Sequence, residues 1–112
     1  MIHVDEGIPT VIGDYVTVGH STVIHGCTLE DGCLVGIGTT ILDHAVIGEE
    51  SIVGANSLIT ERKTFPARTQ ILGSPGKVVR DLTDEEIALL RWTAEHYAKN
   101  SAHYRTQLKA LP

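Results

Sequence analysis

His3, His20 and His25, close together near the start of the chain, are the side chains whose type and spacing suit chemistry. The string VGHSTVIHGC, Val18 to Cys27, sets His20 and His25 five residues apart among apolar and small residues. His3 follows Ile2 in MIHVDEGIPTVIG just as His25 follows Ile24. Neutral imidazole is the commonest metal ligand, and three imidazoles with a fourth position left open are what a catalytic zinc requires. Whether these three can meet depends on the elements that carry them.

Those elements follow a period. Ile12, Val18 and Ile24 stand six residues apart, and after a one-residue slip so do Leu29, Val35, Ile41, Ile47, Val53 and Ile59. Glycine often comes next in the chain, as at Gly13, Gly19, Gly36, Gly48 and Gly54. The fifth position of each hexad is small or β-branched: Val16, Thr22, Thr28, Cys33, Thr39, Ala45, Ser51 and Ser57. A period of six does not match a helix of 3.6 residues per turn, whereas short strands of two-residue period joined by tight corners do match it. The spacing therefore predicts an all-β solenoid. It resembles the hexapeptide repeat of the left-handed parallel β-helix, which implies a triangular coil of three hexads with every aliphatic position pointing inward. Lys63 occupies the next small position, so the pattern is expected to stop there, with PARTQILGSPGKVVR as an irregular coil leading out.

The C-terminal segment differs in kind. Thr83 with Glu86 three residues later is a capping-box signature, and Ile87, Leu90, Ala94, Tyr97, Tyr104, Leu108 and Leu111 recur at helical spacing. One amphipathic α-helix is expected from about Thr83 to Lys109, so that residues 1–80 form the β-helix and residues 81–112 a helix packed on it as part of the same domain. Such a helix is about 40 Å long at 1.5 Å per residue. Four to five coils at roughly 4.8 Å each reach only about 20 to 24 Å, so part of the helix should overhang or cover a neighbouring subunit.

The register then places the histidines. The separation of His3 from His25 exceeds one coil of three hexads by four positions, and the non-repetitive stretch Asp5 to Pro9 can absorb the excess as a corner loop. The two should stack one coil apart on the same edge. His20 lies at the third position of its hexad, near a different corner, and cannot easily join them within one chain. Around a threefold axis, His20 of one subunit would face His3 and His25 of the next.

This constellation resembles the γ-class carbonic anhydrase family, whose signature GHxxxxHGC stands here as Gly19-His20-Ser-Thr-Val-Ile-His25-Gly26-Cys27. HVD after Ile2 is similar to the family's first ligand strand, IGDYVTVGH to the approach to the second, and LGSPGKVVRDLTDEE to the exit into the helix. The resemblance implies that His3, His20 and His25 ligate Zn²⁺ (or Fe²⁺ or Co²⁺) between the subunits of a homotrimer, or of a multiple of trimers. It further implies a small-molecule substrate, CO₂, hydrated to bicarbonate by a hydroxide formed on the metal. Asp5 and Glu6, just after His3, are the candidates for proton exit, and Tyr97 in AEHY matches a family segment near the active site. The resemblance also implies about three more coils before the first histidine, with an Arg and an Asp that pair across the trimer and a Gln near the metal-bound solvent, and these three have no counterparts here. Two other readings stay open: a non-catalytic trimeric structural or metal-binding module, and a hexapeptide-repeat acyltransferase using coenzyme A, suggested by the GSPGK exit.

Composition narrows the rest. A chain of 112 residues with 42% hydrophobic and 21% charged residues is one globular domain. A net charge of −5 without a Lys/Arg cluster argues against nucleic acid. No apolar run approaches the roughly 18 residues of a membrane span, and no signal-peptide core follows a charged start, so no membrane partner and a cytoplasmic location are expected. Cys27 and Cys33 read as free buried thiols, and His44, His96 and His103 as surface residues.

Overall fold

The computed structural model describes residues 2–3 and 8–99, with side chains placed from residue 8 to residue 96. The hexads become short strands separated by corners. One face stacks β1 (Ile2–His3), β4 (Val23–His25), β7 (Thr40–Ile41) and β10 (Leu58–Ile59). The second stacks β2 (Val11–Ile12), β5 (Thr28–Leu29), β8 (Val46–Ile47) and β11 (Thr64–Phe65). The third stacks β3 (Thr17–Val18), β6 (Leu34–Val35), β9 (Ile52–Val53) and β12 (Thr69–Gly73), with β13 (Gly76–Asp81) added at its edge. Every strand up to β12 pairs in parallel with the strand three elements away, the connectivity of a triangular left-handed β-helix.

Register makes like stack on like. Ile24 lies over Ile41 and Ile41 over Ile59; Leu29 lies over Ile47 and Ile47 over Phe65; Val35 lies over Val53 and Val53 over Ile71. These ladders fill the prism, and Ile24, Leu29, Ile41, Ile47, Val53, Ile59 and Ile71 are fully buried. The hydroxyls at the small positions satisfy corner backbone from inside: Thr39 Oγ1 donates to the Gly54 carbonyl at 3.1 Å, Ser51 Oγ to Pro66 at 3.1 Å and Thr69 Oγ1 to Pro66 at 3.0 Å. Among the described residues no buried side-chain donor or acceptor lacks a partner, as burial away from solvent demands.

Two details of the repeat differ from expectation. Cys27, not Thr28, takes the small buried position before Leu29, because the one-residue slip falls between Ile24 and Leu29 and moves the whole set forward. The pattern also continues past Lys63, since buried Phe65 and Ile71 keep the six-residue spacing and Val46 N–H donates to the Lys63 carbonyl at 2.8 Å. Lys63 sits on the last rung, with its side chain exposed, where there is no further coil to crowd it. The GSPGKVVR segment is no irregular coil but a hairpin strand, β13, antiparallel to β12.

Corners need a residue with positive φ. Gly26, Gly32 and Gly38 supply it, and so do Tyr15, Ser21, His44, Glu50, Asn56, Arg62 and Arg68, with φ from 52° to 63°. His44 is therefore an exposed corner residue.

The helix α1 (Asp84–Lys99) begins at the expected capping box: Glu86 N–H donates to Thr83 Oγ1 at 3.1 Å and Thr83 N–H donates to Glu86 Oε1 at 3.0 Å. Ile87 and Leu90, with Leu82, bury against Leu34 and Ile52, so α1 covers the third face. Arg80 forks onto Glu86 at 2.5 and 2.6 Å and, with the Thr83 N–H, holds that carboxyl down to about 2. Glu50 accepts from both Arg91 and Arg68, which lower its pKa and tie helix to solenoid. The expected continuation to Lys109, with its overhang and His103, lies outside the described residues. No helix among the described residues is long and apolar enough to cross a membrane.

Candidate metal centre

His25 ends β4, where the chain leaves the first face for the second. β1 pairs with β4 in the register Ile2↔Ile24 and His3↔His25, the stacking that the sequence spacing predicts. The His25 side chain is half-buried, 26% exposed, and its Nδ1–H donates to Oδ1 of Asp43, itself 23% exposed. Such a bond holds an imidazole in one tautomer with Nε2 as the coordinating atom, the arrangement in which metal-binding histidines are usually found. An imidazole held in this way suits a divalent metal as one of its ligands.

His20 sits elsewhere, exposed at the corner between β3 on the third face and β4 on the first. The neighbouring Ser21 supplies the positive φ of that corner, and the His20 carbonyl accepts from Gly38 N–H at 3.0 Å. His20 and His25 thus flank opposite edges of the first face. Among the described residues, no three His, Cys, Asp or Glu side chains converge. A centre that uses both histidines has to take them from different chains. Among the described residues α1 packs on the third face, and the first face lies between the two histidines.

The other sequence candidates fall into place unevenly. Asp5 and Glu6 lie outside the described residues, as do the side chains of His3 and Tyr97, although β1 and α1 carry the backbones of the latter two. Cys27 and Cys33 are buried, and burial pushes their thiols up to about 11 and about 12, so both are inert core residues near neutral pH. His96 is exposed on α1, stacks on Trp92 at 3.5 Å between ring centres and donates from Nδ1 to the Trp92 carbonyl at 2.9 Å. A groove of about 430 Å³ between α1 and one corner column is lined by Tyr15, Asp31, Glu49, Glu50, Arg68 and Arg91, among others, and neither His20 nor His25 lines it. Sequence reasoning misses Asp43, which reads as an ordinary polar corner residue in LDHA; the signal that points to it is the slip in the repeat next to His25.

Comparison with known proteins agrees with the fold and with the family resemblance of the sequence. Residues 26–61 match the family model described as bacterial transferase hexapeptide (six repeats). A Methanocaldococcus jannaschii protein named as a probable carbonic anhydrase is 52% identical over 101 residues, covering 90% of this chain and 64% of that one. Gamma carbonic anhydrase 2, mitochondrial, of Arabidopsis thaliana is 48% identical over 90 residues, covering 80% of this chain and 32% of its own. Among solved structures, a Bacillus cereus protein named as a candidate acetyltransferase superposes with a TM-score of 0.85 at 35% identity, covering 95% of this chain and 62% of that one. The chain thus spans about a third to somewhat under two-thirds of these relatives' length. With the hexad register, the GHxxxxHGC string and the stacked His3 and His25 alongside these identities, the chain belongs to the γ-class carbonic anhydrase-like family of hexapeptide-repeat proteins.

Proposed function

We propose that the chain assembles as a trimer, or a multiple of trimers, with a divalent metal site at each subunit interface, and that this site hydrates CO₂ to bicarbonate. The observation that carries the reading is His25, held by Asp43 and in register with His3, at the edge of the first face opposite His20. A threefold axis brings one chain's His20 edge against the next chain's His3 and His25 edge. When bound there, Zn²⁺ or Fe²⁺ supplies the Lewis acidity that makes a nucleophile of water near neutral pH. His3, His20 and His25 would hold the ion, and Asp5 and Glu6, soon after His3 in the sequence, carry the released proton to solvent. Tyr97 is the remaining candidate at the site.

The test is CO₂ hydration by stopped flow with protein loaded with Zn²⁺ or Fe²⁺, beside His25→Ala. Catalysis above the buffer rate that disappears in the variant is the expected result. Metal-loaded protein that hydrates CO₂ no faster than His25→Ala would leave a metal-binding module without this activity. The transferase naming of the matched family model and of the Bacillus cereus structure favours one second reading, an acyltransferase. Coenzyme A distinguishes it, because a ligand that binds the native state raises apparent stability by mass action. No shift in melting temperature with millimolar coenzyme A is expected, and a clear rise would favour acyl transfer.

A further inference from the structure

The apolar ladder keeps the hexad spacing at every step from Ile12 to Ile71 except one, the shortened step from Ile24 to Leu29. Strand pairing locates the missing residue. Ile24 aligns with Ile41 and Thr28 with Val46, so the corner His25-Gly26-Cys27 is matched in the coil beneath it by the longer corner Leu42-Asp43-His44-Ala45. His44 N–H donates to the Gly26 carbonyl at 2.8 Å and both residues take the positive-φ place, which leaves Leu42 and Asp43 under the single residue His25. Asp43 is therefore the surplus residue of the lower corner. Its carboxylate reaches up to His25 Nδ1 across the space that a missing side chain leaves open: a Cβ on Gly26, at φ +59°, would lie 2.6 Å from Asp43 Oδ1 and 2.3 Å from Ile8 Cγ2.

We propose that this corner deletion is a device for orienting the metal ligand, with Asp43 as a positioning residue that sets the His25 tautomer and raises metal affinity. The inference rests on the metal-site reading above. It adds a carboxylate drawn from the next coil of the same chain, and it accounts for the glycine of the HGC string. A carboxylate that accepts from Nδ1–H favours the Nδ1-protonated tautomer and leaves the lone pair on Nε2. Backbone ladders anchor Asp43 from below, where Arg62 N–H donates to its carbonyl at 2.9 Å. The carboxylate is thus placed independently of any subunit contact.

Two measurements on the full chain separate this inference from the reading beneath it. The first is the ¹⁵N spectrum of the histidine rings in metal-free protein above pH 8. The His25 ring is expected to be protonated at Nδ1 in the wild type and to shift toward the Nε2-protonated form in Asp43→Ala. The second is Zn²⁺ affinity by equilibrium dialysis for wild type, Asp43→Ala and His25→Ala. Asp43→Ala is expected to bind about 10- to 100-fold more weakly, and His25→Ala not measurably. Unchanged ring signals, or Zn²⁺ affinity in Asp43→Ala equal to wild type while His25→Ala loses it, would overturn the role of Asp43 and leave the metal site standing. Equal affinity in wild type and His25→Ala would instead bring down the metal site itself. Should Asp43→Ala fail to fold, Asp43→Asn keeps the shape, and its amide, which accepts less strongly and can donate, is expected to shift the ring signals in the same direction.

Discussion

An equimolar mixture of His20→Ala and His25→Ala chains, unfolded together and refolded, is expected to recover metal binding and CO₂ hydration that neither variant has alone. The reason is the placement of the two histidines at opposite edges of one face, with strand β4 and the Ser21 corner between them. In the proposed trimer each site takes His20 from one chain and His25 from its neighbour. Alone, each variant lacks one ligand at every interface. In a mixed trimer, an interface is complete when a His25→Ala chain presents its intact His20 to the intact His3 and His25 of a His20→Ala chain. Random assembly makes that pairing at about a quarter of interfaces, so activity should return to about a quarter of the wild-type value. A site built within one chain cannot be repaired in this way, and a mixture as inactive as its components would refute sharing. Dialysis for bound metal and stopped-flow hydration on the same samples read both consequences.

The second large effect is on stability. Ile41→Ala is expected to lower unfolding free energy by about 2 to 5 kcal/mol, read from the denaturation midpoint, whereas Val11→Ala should stay within about 0.5 kcal/mol of wild type. Ile41 is fully buried and touches its own kind above and below, Ile24 and Ile59, while Val11 is 49% exposed. The solenoid gives a core residue no second layer to fall back on. Neighbouring rungs are held by backbone ladders at fixed spacing, so they cannot close in on a cavity, and the cost should fall toward the upper end of the range. A loss as small as that of Val11→Ala would mean that the ladder of aliphatic residues is not what holds the prism together.

The fold is legible in the sequence because its repeat leaves little choice. A six-residue period in apolar residues excludes a helix, and the stacking of Ile24 on Ile41 follows once three hexads close a coil. The same arithmetic sets His3 beside His25, as the strand register has them. It fails where the chain departs from strict counting. Lys63 reads as a breaker only on the assumption that every small position is enclosed, and the last rung is not. Thr28 is displaced from the buried position because the slip falls at the HGC corner. GSPGKVVR looks irregular because a hairpin strand added at a sheet edge keeps neither the period nor the burial of the hexads: Lys77, Val78, Val79 and Arg80 are all exposed. Asp43 is the costliest omission. Its partnership with His25 joins successive coils and depends on a deletion in one of them, and single-residue properties of an acidic corner carry no trace of that.

The most direct measurement is native mass spectrometry of protein purified without chelators, beside His20→Ala, reading subunit number and metal content from the same ions. A trimer, or a multiple of it, carrying one metal per subunit, with the metal lost in His20→Ala, is the predicted result. An assembly that keeps its metal in His20→Ala, or a wild-type assembly that takes up neither Zn²⁺ nor Fe²⁺ when these are added, would contradict a metal centre shared between chains.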